Sequence, residues 1–182
     1  MCRHLGYVGA PTSLHELLFD APHALAKQAE CPRHQKSGDT NPDGWGVAWY
    51  PPGTTEPERY RSVTKMWDDV EFATTSRPVE CTAVIAAARL ASPGATIDVK
   101  GNAPFVDGRW SFSLNGIVHG FPDGVGDELR SRVEPQRLAK IEGDADTEVL
   151  FALALQLLDA GTPAADALEQ VVHDVLAITT AG

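Results

Sequence analysis

The stretch at residues 81–90, CTAVIAAARL, is almost continuously apolar and has a β-branched centre at Val84 and Ile85. A short apolar run of this kind is typical of a strand that is buried on both faces, whereas a half-exposed strand alternates apolar and polar residues. The sequence therefore predicts a layered fold around this strand. Arg89 near its end is unexpected, because an arginine is rarely buried without a partner.

The remaining elements place strands early and in the middle of the chain and helices late. Further strands are predicted at residues 2–9, 44–50, 59–65 and 109–118. Helices are predicted at 13–30, 67–76, 126–140, 146–161 and 163–178. This order favours an α+β fold and disfavours regular βαβ units.

Length and composition fit one domain over residues 2–182, since the chain has 182 residues and 43% hydrophobic content. The formal net charge of -10 argues against nucleic acid and anionic membranes as partners. Cys2, Cys31 and Cys81 are predicted to be reduced thiols of a cytoplasmic protein. We expect no signal peptide, and no apolar run approaches the ~20 residues of a membrane span.

Cys2 follows the initiator methionine directly. Because cysteine is small, an aminopeptidase can remove Met1 and leave a thiol and a free α-amine on the same residue. The α-amine has an unperturbed pKa of about 8, so it can act as a base near neutral pH. A nucleophile activated by its own N-terminal amine is one hypothesis for Cys2. An incidental or buried cysteine is the other.

The pair Asn115-Gly116 also allows two interpretations. Asn-Gly is the strongest short signal for a type I′ hairpin turn, and the pattern alone favours that turn. Alternatively, the Asn115 side chain and the Gly116 backbone N–H form an oxyanion hole, in which the loss of one donor typically costs about 3 kcal/mol of barrier stabilisation.

Arg89 and Asp146 carry opposite charges that a zwitterionic substrate could use. Arg89 either extends to solvent or pairs with a core carboxylate, or its planar fork holds a substrate carboxylate. Asp146, taken alone, is predicted to cap the helix that follows it, with Asp144 as an alternative cap. The functional hypothesis is that Asp146 binds a substrate ammonium group. Together with a thiol and two oxyanion donors, this set would recognise and cleave a γ-glutamyl amide.

Several motifs agree in order with one known family. They are Met1-Cys2, NPDGWGVAWY at 41–50, AAARLAS at 86–92, GNAPF at 101–105, LNGIV at 114–118 and DADTEV at 144–149. The chain resembles the class II glutamine amidotransferases of the N-terminal-nucleophile hydrolase superfamily. The first nine residues with DGWGVAWY are similar to a branch of stand-alone γ-glutamyl hydrolases that act in ergothioneine biosynthesis.

The resemblance implies a fold, a mechanism and a set of roles. The fold is a four-layer αββα sandwich of two antiparallel sheets. The catalytic residues are Cys2, with its α-amine as base, and the oxyanion donors Asn115 and Gly116. The substrate-binding residues are Arg89 for the α-carboxylate, Asp146 for the α-ammonium, and Gly44 and Trp45 in the loop beside the nucleophile.

The implied reaction proceeds through a γ-glutamyl thioester on Cys2 and releases glutamate, without a metal or organic cofactor. The expected substrate is γ-glutamyl-hercynylcysteine sulfoxide, a small molecule. Its trimethylammonium group would suit an aromatic face. The candidates are Tyr7, Trp45, Trp67 and Trp110.

The chain departs from the family at two places. Asn102-Ala103-Pro104 stands where family members often have Asn-Ala-His-Pro, so we expect no histidine role there. Family members also usually continue into further strands after the last helix. We expect either an incomplete sequence or a second sheet without its closing strands.

Two alternatives stay open at this point. The first is a glutaminase subunit that supplies ammonia to a separate synthase. The second, from a different class, is a small zinc-binding module in which Cys2, His4, Cys31 and His34 supply the four ligands.

Overall fold

The computed structural model of the chain describes residues 2–33, 40–92 and 95–179. Its contacts divide the chain into two units, Met1–Asn115 and Gly116–Gly182, which are described separately below. The expectation of one domain over residues 2–182 stays a prediction.

The first unit is built on a four-stranded antiparallel sheet with the strand order β1-β4-β2-β3. Its strands are β1 (Arg3–Ser13), β2 (Trp45–Tyr50), β3 (Glu58–Ser62) and β4 (Glu80–Ala88). The apolar run that the sequence singles out is β4, and it has a paired strand on each side. The prediction of a buried strand at this place is confirmed.

One face of this sheet carries the hydrophobic core. Successive side chains of a strand point to opposite faces, so Trp45, Val47 and Trp49 enter the core, whereas Gly46 and Ala48 face the other way. Short helical segments cover the core face. They are a π-helical turn (Glu16–Asp20), α1 (Leu25–Glu30), a 3₁₀ turn (Met66–Asp68) and α2 (Val70–Thr75).

A second antiparallel sheet contains the two short strands β5 (Phe105–Asp107) and β6 (Trp110–Phe112). Tyr50, on the sheet face opposite the core, donates its hydroxyl to the Arg109 carbonyl at 3.0 Å and lies 3.0 Å from the Ser111 hydroxyl. These bonds fix the end of β2 to the second sheet. Two antiparallel sheets with helices confirm the α+β expectation.

The second unit is helical in its described part. It contains a 3₁₀ turn (Phe121–Asp123), α3 (Val125–Ser131), α4 (Pro135–Leu138), α5 (Asp146–Asp159) and α6 (Ala164–Thr179). The middle of α5 is buried on all sides, and α5 contacts α3, α4 and α6. None of the described helices combines the length and the apolar character that crossing a bilayer requires.

Candidate functional site

At one end of the strands β1, β4 and β2, the four-stranded sheet brings together three segments with predicted site residues. At Ala88, β4 pairs with the first residue of β1 on one side and with the first residue of β2 on the other. One residue further along, the register puts Cys2, Arg89 and Gly44 side by side. The Arg89 N–H donates to the Gly44 carbonyl at 2.8 Å, which extends the ladder to this row.

Cys2 is half-buried, and its thiol is a donor to the Leu90 carbonyl oxygen at 3.7 Å. All three cysteines are free thiols; Cys31 is exposed and Cys81 is buried. Burial raises the pKa of the Cys81 thiol, which makes it a poor nucleophile. Met1, whose removal would free the α-amine of Cys2, lies outside the described residues.

The Asn115 side chain lies against the backbone of Cys2. Its Nδ2 donates to the Cys2 carbonyl oxygen at 3.2 Å, and the residue is otherwise exposed. A side-chain amide nitrogen carries two N–H groups. One N–H of Asn115 therefore remains for a second acceptor beside Cys2.

The interpretation of Asn115-Gly116 as a type I′ hairpin turn is wrong. Such a turn requires a positive φ at both central residues, and neither Asn115 nor Gly116 has one. β6 ends at Phe112, and no strand follows it up to Thr179, the last described residue. The hairpin in this region is the β5–β6 connection, where Gly108 has a φ of 54°.

The Arg89 guanidinium is held at one nitrogen and unsatisfied at another. Nη2 donates to the Thr96 carbonyl at 3.1 Å, while Nη1 is buried and has no hydrogen-bond partner among the described residues. No described carboxylate pairs with the group, which rules out that alternative, whereas the side chain is half-exposed and its bond to Thr96 lies at the surface. A buried guanidinium N–H without an acceptor costs about 1–3 kcal/mol or more, so this arrangement favours an anionic ligand.

Gly44 is the backbone support of Arg89. It has a φ of 105°, and a Cβ there would lie 2.4 Å from Asn102 Nδ2 and 2.7 Å from the Ser62 carbonyl oxygen. Only glycine fits both the conformation and the space. The preceding Asp43 accepts a hydrogen bond from the Ala91 N–H at 2.8 Å, which fixes this loop to the chain after β4.

The Trp45 indole does not line an open pocket, which corrects the role expected for this side chain. Trp45 is 0% exposed, and its Nε1 donates to Asp69 Oδ2 at 3.1 Å on the core side of the sheet. Alternation along β2 turns this side chain away from the face that carries Gly46. Only the backbone of Trp45 is available to the site.

His4 also lies in this region, although the sequence analysis names it only as a ligand of the alternative zinc site. Its Nδ1 lies 3.2 Å from the Ser113 hydroxyl. Burial lowers the pKa of the His4 imidazole below the ordinary value of 6.5, so the ring is neutral at pH 7. The spacing of two residues from Cys2 is the available signal, since alternation along the strand predicted at 2–9 puts both side chains on one face.

The aromatic candidates for a trimethylammonium group are partly occupied. Tyr7 packs against the core. Trp67 has a lysine ammonium 5.9 Å from its ring centroid, and Trp110 has an arginine guanidinium 4.8 Å from its own. A cation over a ring face already uses the attraction that a ligand cation would need.

In the second unit, Asp146 is the first residue of α5, and Ala145 occupies the N-cap position. The expectation of an Asp146 cap is therefore wrong. Asp146 Oδ2 accepts the Val118 N–H at 2.8 Å, and Oδ1 accepts the Thr147 N–H at 2.6 Å. The carboxylate thus ties the segment that follows Gly116 to the start of α5.

Metal ligation was the alternative from a different class. Within residues 2–33, 40–92 and 95–179, no group of three or more His, Cys, Asp or Glu side chains is placed to hold a metal ion. His34, one of the four proposed zinc ligands, lies outside the described residues.

Comparisons with known proteins agree on one family. The gamma-glutamyl-hercynylcysteine sulfoxide hydrolase of Mycobacterium tuberculosis (strain CDC 1551 / Oshkosh) is 39% identical over 118 residues, which cover 65% of this chain and 50% of that protein. The protein of the same name from Mycolicibacterium smegmatis is 41% identical over 118 residues, covering 65% and 52%. The chain thus spans about half the length of these curated relatives.

A solved structure extends the likeness to the whole chain. The glutamine aminotransferase class-II domain protein from Silicibacter pomeroyi matches with a TM-score of 0.69 at 23% identity, over 100% of this chain and 66% of that one, and so shows the fold. The sequence profile of the family described as "Glutamine amidotransferases class-II" matches residues 12–181. The chain therefore belongs to the class-II glutamine amidotransferases.

Proposed function

We propose that this chain hydrolyses a γ-glutamyl amide through a thioester on Cys2. The observation that carries the proposal is the row of Cys2, Arg89 and Gly44 at the ends of strands β1, β4 and β2. It puts a half-buried thiol next to an arginine whose buried Nη1 has no hydrogen-bond partner among the described residues. A thiol supplies the nucleophile, and an unsatisfied guanidinium suits the α-carboxylate of a glutamyl group.

The reaction divides into two acyl transfers. The Cys2 sulfur attacks the γ-carbonyl carbon, and the thiol proton passes to the α-amine of Cys2. The tetrahedral intermediate then breaks its carbon–nitrogen bond, and the leaving amine takes the proton from the α-ammonium. Water adds to the remaining thioester and releases glutamate and the free thiol. The balance needs no metal or organic cofactor.

The other residues hold the substrate and its developing charge. The second N–H of Asn115 and the backbone N–H of Gly116 donate to the oxyanion. Arg89 binds the α-carboxylate and Asp146 the α-ammonium, while Gly44 supports Arg89 through its carbonyl. Asn115 is supported in this role by its bond to the Cys2 carbonyl, which keeps its amide beside the nucleophile.

The relatives suggest which amine leaves. Two mycobacterial relatives at 39% and 41% identity are named for hydrolysis of γ-glutamyl-hercynylcysteine sulfoxide. We propose the same small molecule as substrate, in a cytoplasmic setting that suits three free thiols. The net charge of -10 supports a small-molecule substrate over nucleic acid.

The test is an intact-mass measurement before and after exposure to 6-diazo-5-oxo-L-norleucine, a glutamine analogue with an electrophile near the γ-position. We expect a starting mass without Met1 and one adduct on Cys2. Cys31→Ser should still be labelled, whereas Cys2→Ser should not. A processed N-terminus without an adduct would reject the glutamyl pocket.

Turnover then separates the candidate substrates. Glutamate release is measured from glutamine, from γ-glutamyl-p-nitroanilide and from γ-glutamyl-hercynylcysteine sulfoxide. The proposal expects the highest kcat/KM for the sulfoxide. Preference for glutamine with release of ammonia would instead favour the glutaminase alternative.

A further inference from the structure

Cys2 lies beyond the regular hydrogen bonding of its strand. β1 begins at Arg3, which pairs with Ala88, and β1 is an edge strand with β4 as its only paired neighbour in the described sheet. Chain ends of this kind fray unless other contacts hold them. A nucleophile at such an end therefore needs a further constraint, because a displacement of about 1 Å can cost 100-fold in rate.

Two side-chain bridges hold this end of the chain against the segment 113–115. Asn115 Nδ2 donates to the Cys2 carbonyl oxygen at 3.2 Å, and His4 Nδ1 lies 3.2 Å from the Ser113 hydroxyl. Both bridges join the same two segments, 2–4 and 113–115, with a step of two residues on each side. Cys2 and Asn115, which form the outer bridge, belong to the proposed reaction. His4 and Ser113, which form the inner bridge, do not.

The His4–Ser113 bridge can hold segments 2–4 and 113–115 at a fixed distance from each other. Burial lowers the pKa of the His4 imidazole, so the ring is neutral and the bond to Ser113 adds no charge beside the thiol. A hydroxyl and a neutral imidazole nitrogen can each donate or accept, so the bond forms with either ring tautomer. Asn115 itself is exposed, which leaves its position dependent on the chain that leads into it.

We propose that His4 is a positioning residue for the reaction, and that its Nδ1–Ser113 hydrogen bond sets the place of the Asn115 amide relative to Cys2. The inference rests on the proposed γ-glutamyl hydrolysis and adds a residue to it. Neither His4 nor Ser113 needs to touch the substrate. The bond holds the segment that delivers the oxyanion donor.

Four variants of the full chain, each checked for removal of Met1, test this bond. An asparagine amide lies near the position of imidazole Nδ1 and a glutamine amide near Nε2, so His4→Asn can keep the bond and His4→Gln loses it. Ser113→Thr keeps the hydroxyl and Ser113→Ala removes it. The matched control is Ser76→Ala, which deletes another serine–histidine contact of 3.2 Å, to His15 in the core.

The measurements are kcat and KM for γ-glutamyl-p-nitroanilide and the rate of Cys2 alkylation by iodoacetamide. An oxyanion donor acts in the transition state, so we expect His4→Gln and Ser113→Ala to lower kcat about 10- to 100-fold with little change in KM. Alkylation needs no oxyanion donor and should keep its wild-type rate. His4→Asn, Ser113→Thr and Ser76→Ala should keep the wild-type kcat.

Each other result decides against the inference. Wild-type kcat in His4→Gln and Ser113→Ala would show that the bond positions nothing. An equal loss of kcat and of alkylation rate would place the defect at the thiol itself. Loss of kcat in Ser113→Thr as well as in Ser113→Ala would show that the site responds to any change at residue 113 and not to the loss of this hydrogen bond. If the wild-type chain releases no glutamate from any γ-glutamyl amide, the proposed function fails first.

Discussion

Gly101 lies against the Arg89 guanidinium, and the substitution Gly101→Ala would displace that group. A Cβ at residue 101 would lie 2.8 Å from Arg89 Nη1, 3.1 Å from Cζ and 3.2 Å from Nη2. Ordinary contacts between such atoms are about 3.5–4.0 Å. The backbone of Gly101 has no positive φ, so alanine itself is tolerated and the guanidinium must move by roughly 0.5–1 Å.

The size of the effect follows from the hydrogen bonds that the displaced fork would lose. A hydrogen bond to a charged group contributes about 1.5–3 kcal/mol. The loss of one of two bonds to the α-carboxylate therefore lowers kcat/KM about 10- to 100-fold. Arg89 holds the carboxylate equally in the ground and transition states, so most of the loss should appear as a higher KM.

The assay compares γ-glutamyl-p-nitroanilide with 4-aminobutanoyl-p-nitroanilide, which lacks the α-carboxylate. The variant should lose kcat/KM on the first substrate and match the wild type on the second. Gly6→Ala is the matched control, because a Cβ there meets no atom within 4 Å. An equal loss on both substrates, or no loss on the first, would refute the role given to Arg89.

Three further predictions concern carboxyl and phenol groups that hold the fold together. Asp146 Oδ2 accepts the N–H of buried Val118, so Asp146→Ala should lower the unfolding free energy by about 1–3 kcal/mol in urea melts, whereas Asp146→Asn keeps an acceptor and should lose less; equal losses in the two variants would contradict this. Asp69 accepts from Trp45 Nε1 and the Tyr60 hydroxyl, so Asp69→Ala should lower the unfolding free energy by about 2–4 kcal/mol in urea melts, and a change below about 0.5 kcal/mol would contradict this. Burial raises the pKa of Tyr60 above its ordinary 10.0. The stability this adds is present below pH 10 and is lost as the pH rises towards the raised value, so the difference in Tm between wild type and Tyr60→Phe should shrink above pH 10.

The sequence predicts the central strand and the long buried helix because the hydrophobic pattern of each lies within a single stretch of the chain. The run at 81–90 becomes the central strand β4, and the apolar stretch after Asp146 becomes α5. Both depend on hydrophobic patterns that the chain carries within a single element. The class-II family and its two antiparallel sheets were likewise expected from the motifs.

The details that the sequence misses depend on contacts between distant residues. Asn-Gly is a turn signal only when strands flank it on both sides, and here β6 ends before the pair. Asp146 is the first residue of α5 and not its N-cap, and its Oδ2 accepts the N–H of Val118, which lies 28 residues earlier. Trp45 can face the core because its Nε1 donates a hydrogen bond to Asp69, which lies 24 residues later in the chain. The catalytic and substrate-binding roles themselves stay predictions.

Arg89 Nη1, which is buried and has no hydrogen-bond partner among residues 2–33, 40–92 and 95–179, has a practical consequence for how the protein is handled. A guanidinium N–H that lacks an acceptor favours binding of a small carboxylate or oxyanion. We therefore expect acetate, citrate and sulfate buffers to inhibit competitively, and the apparent KM to fall when the protein is moved into a zwitterionic sulfonate buffer too bulky for the site. Crystallisation from such salts would place the precipitant anion on Arg89, so soaking for a substrate complex should begin from a polyethylene glycol condition instead.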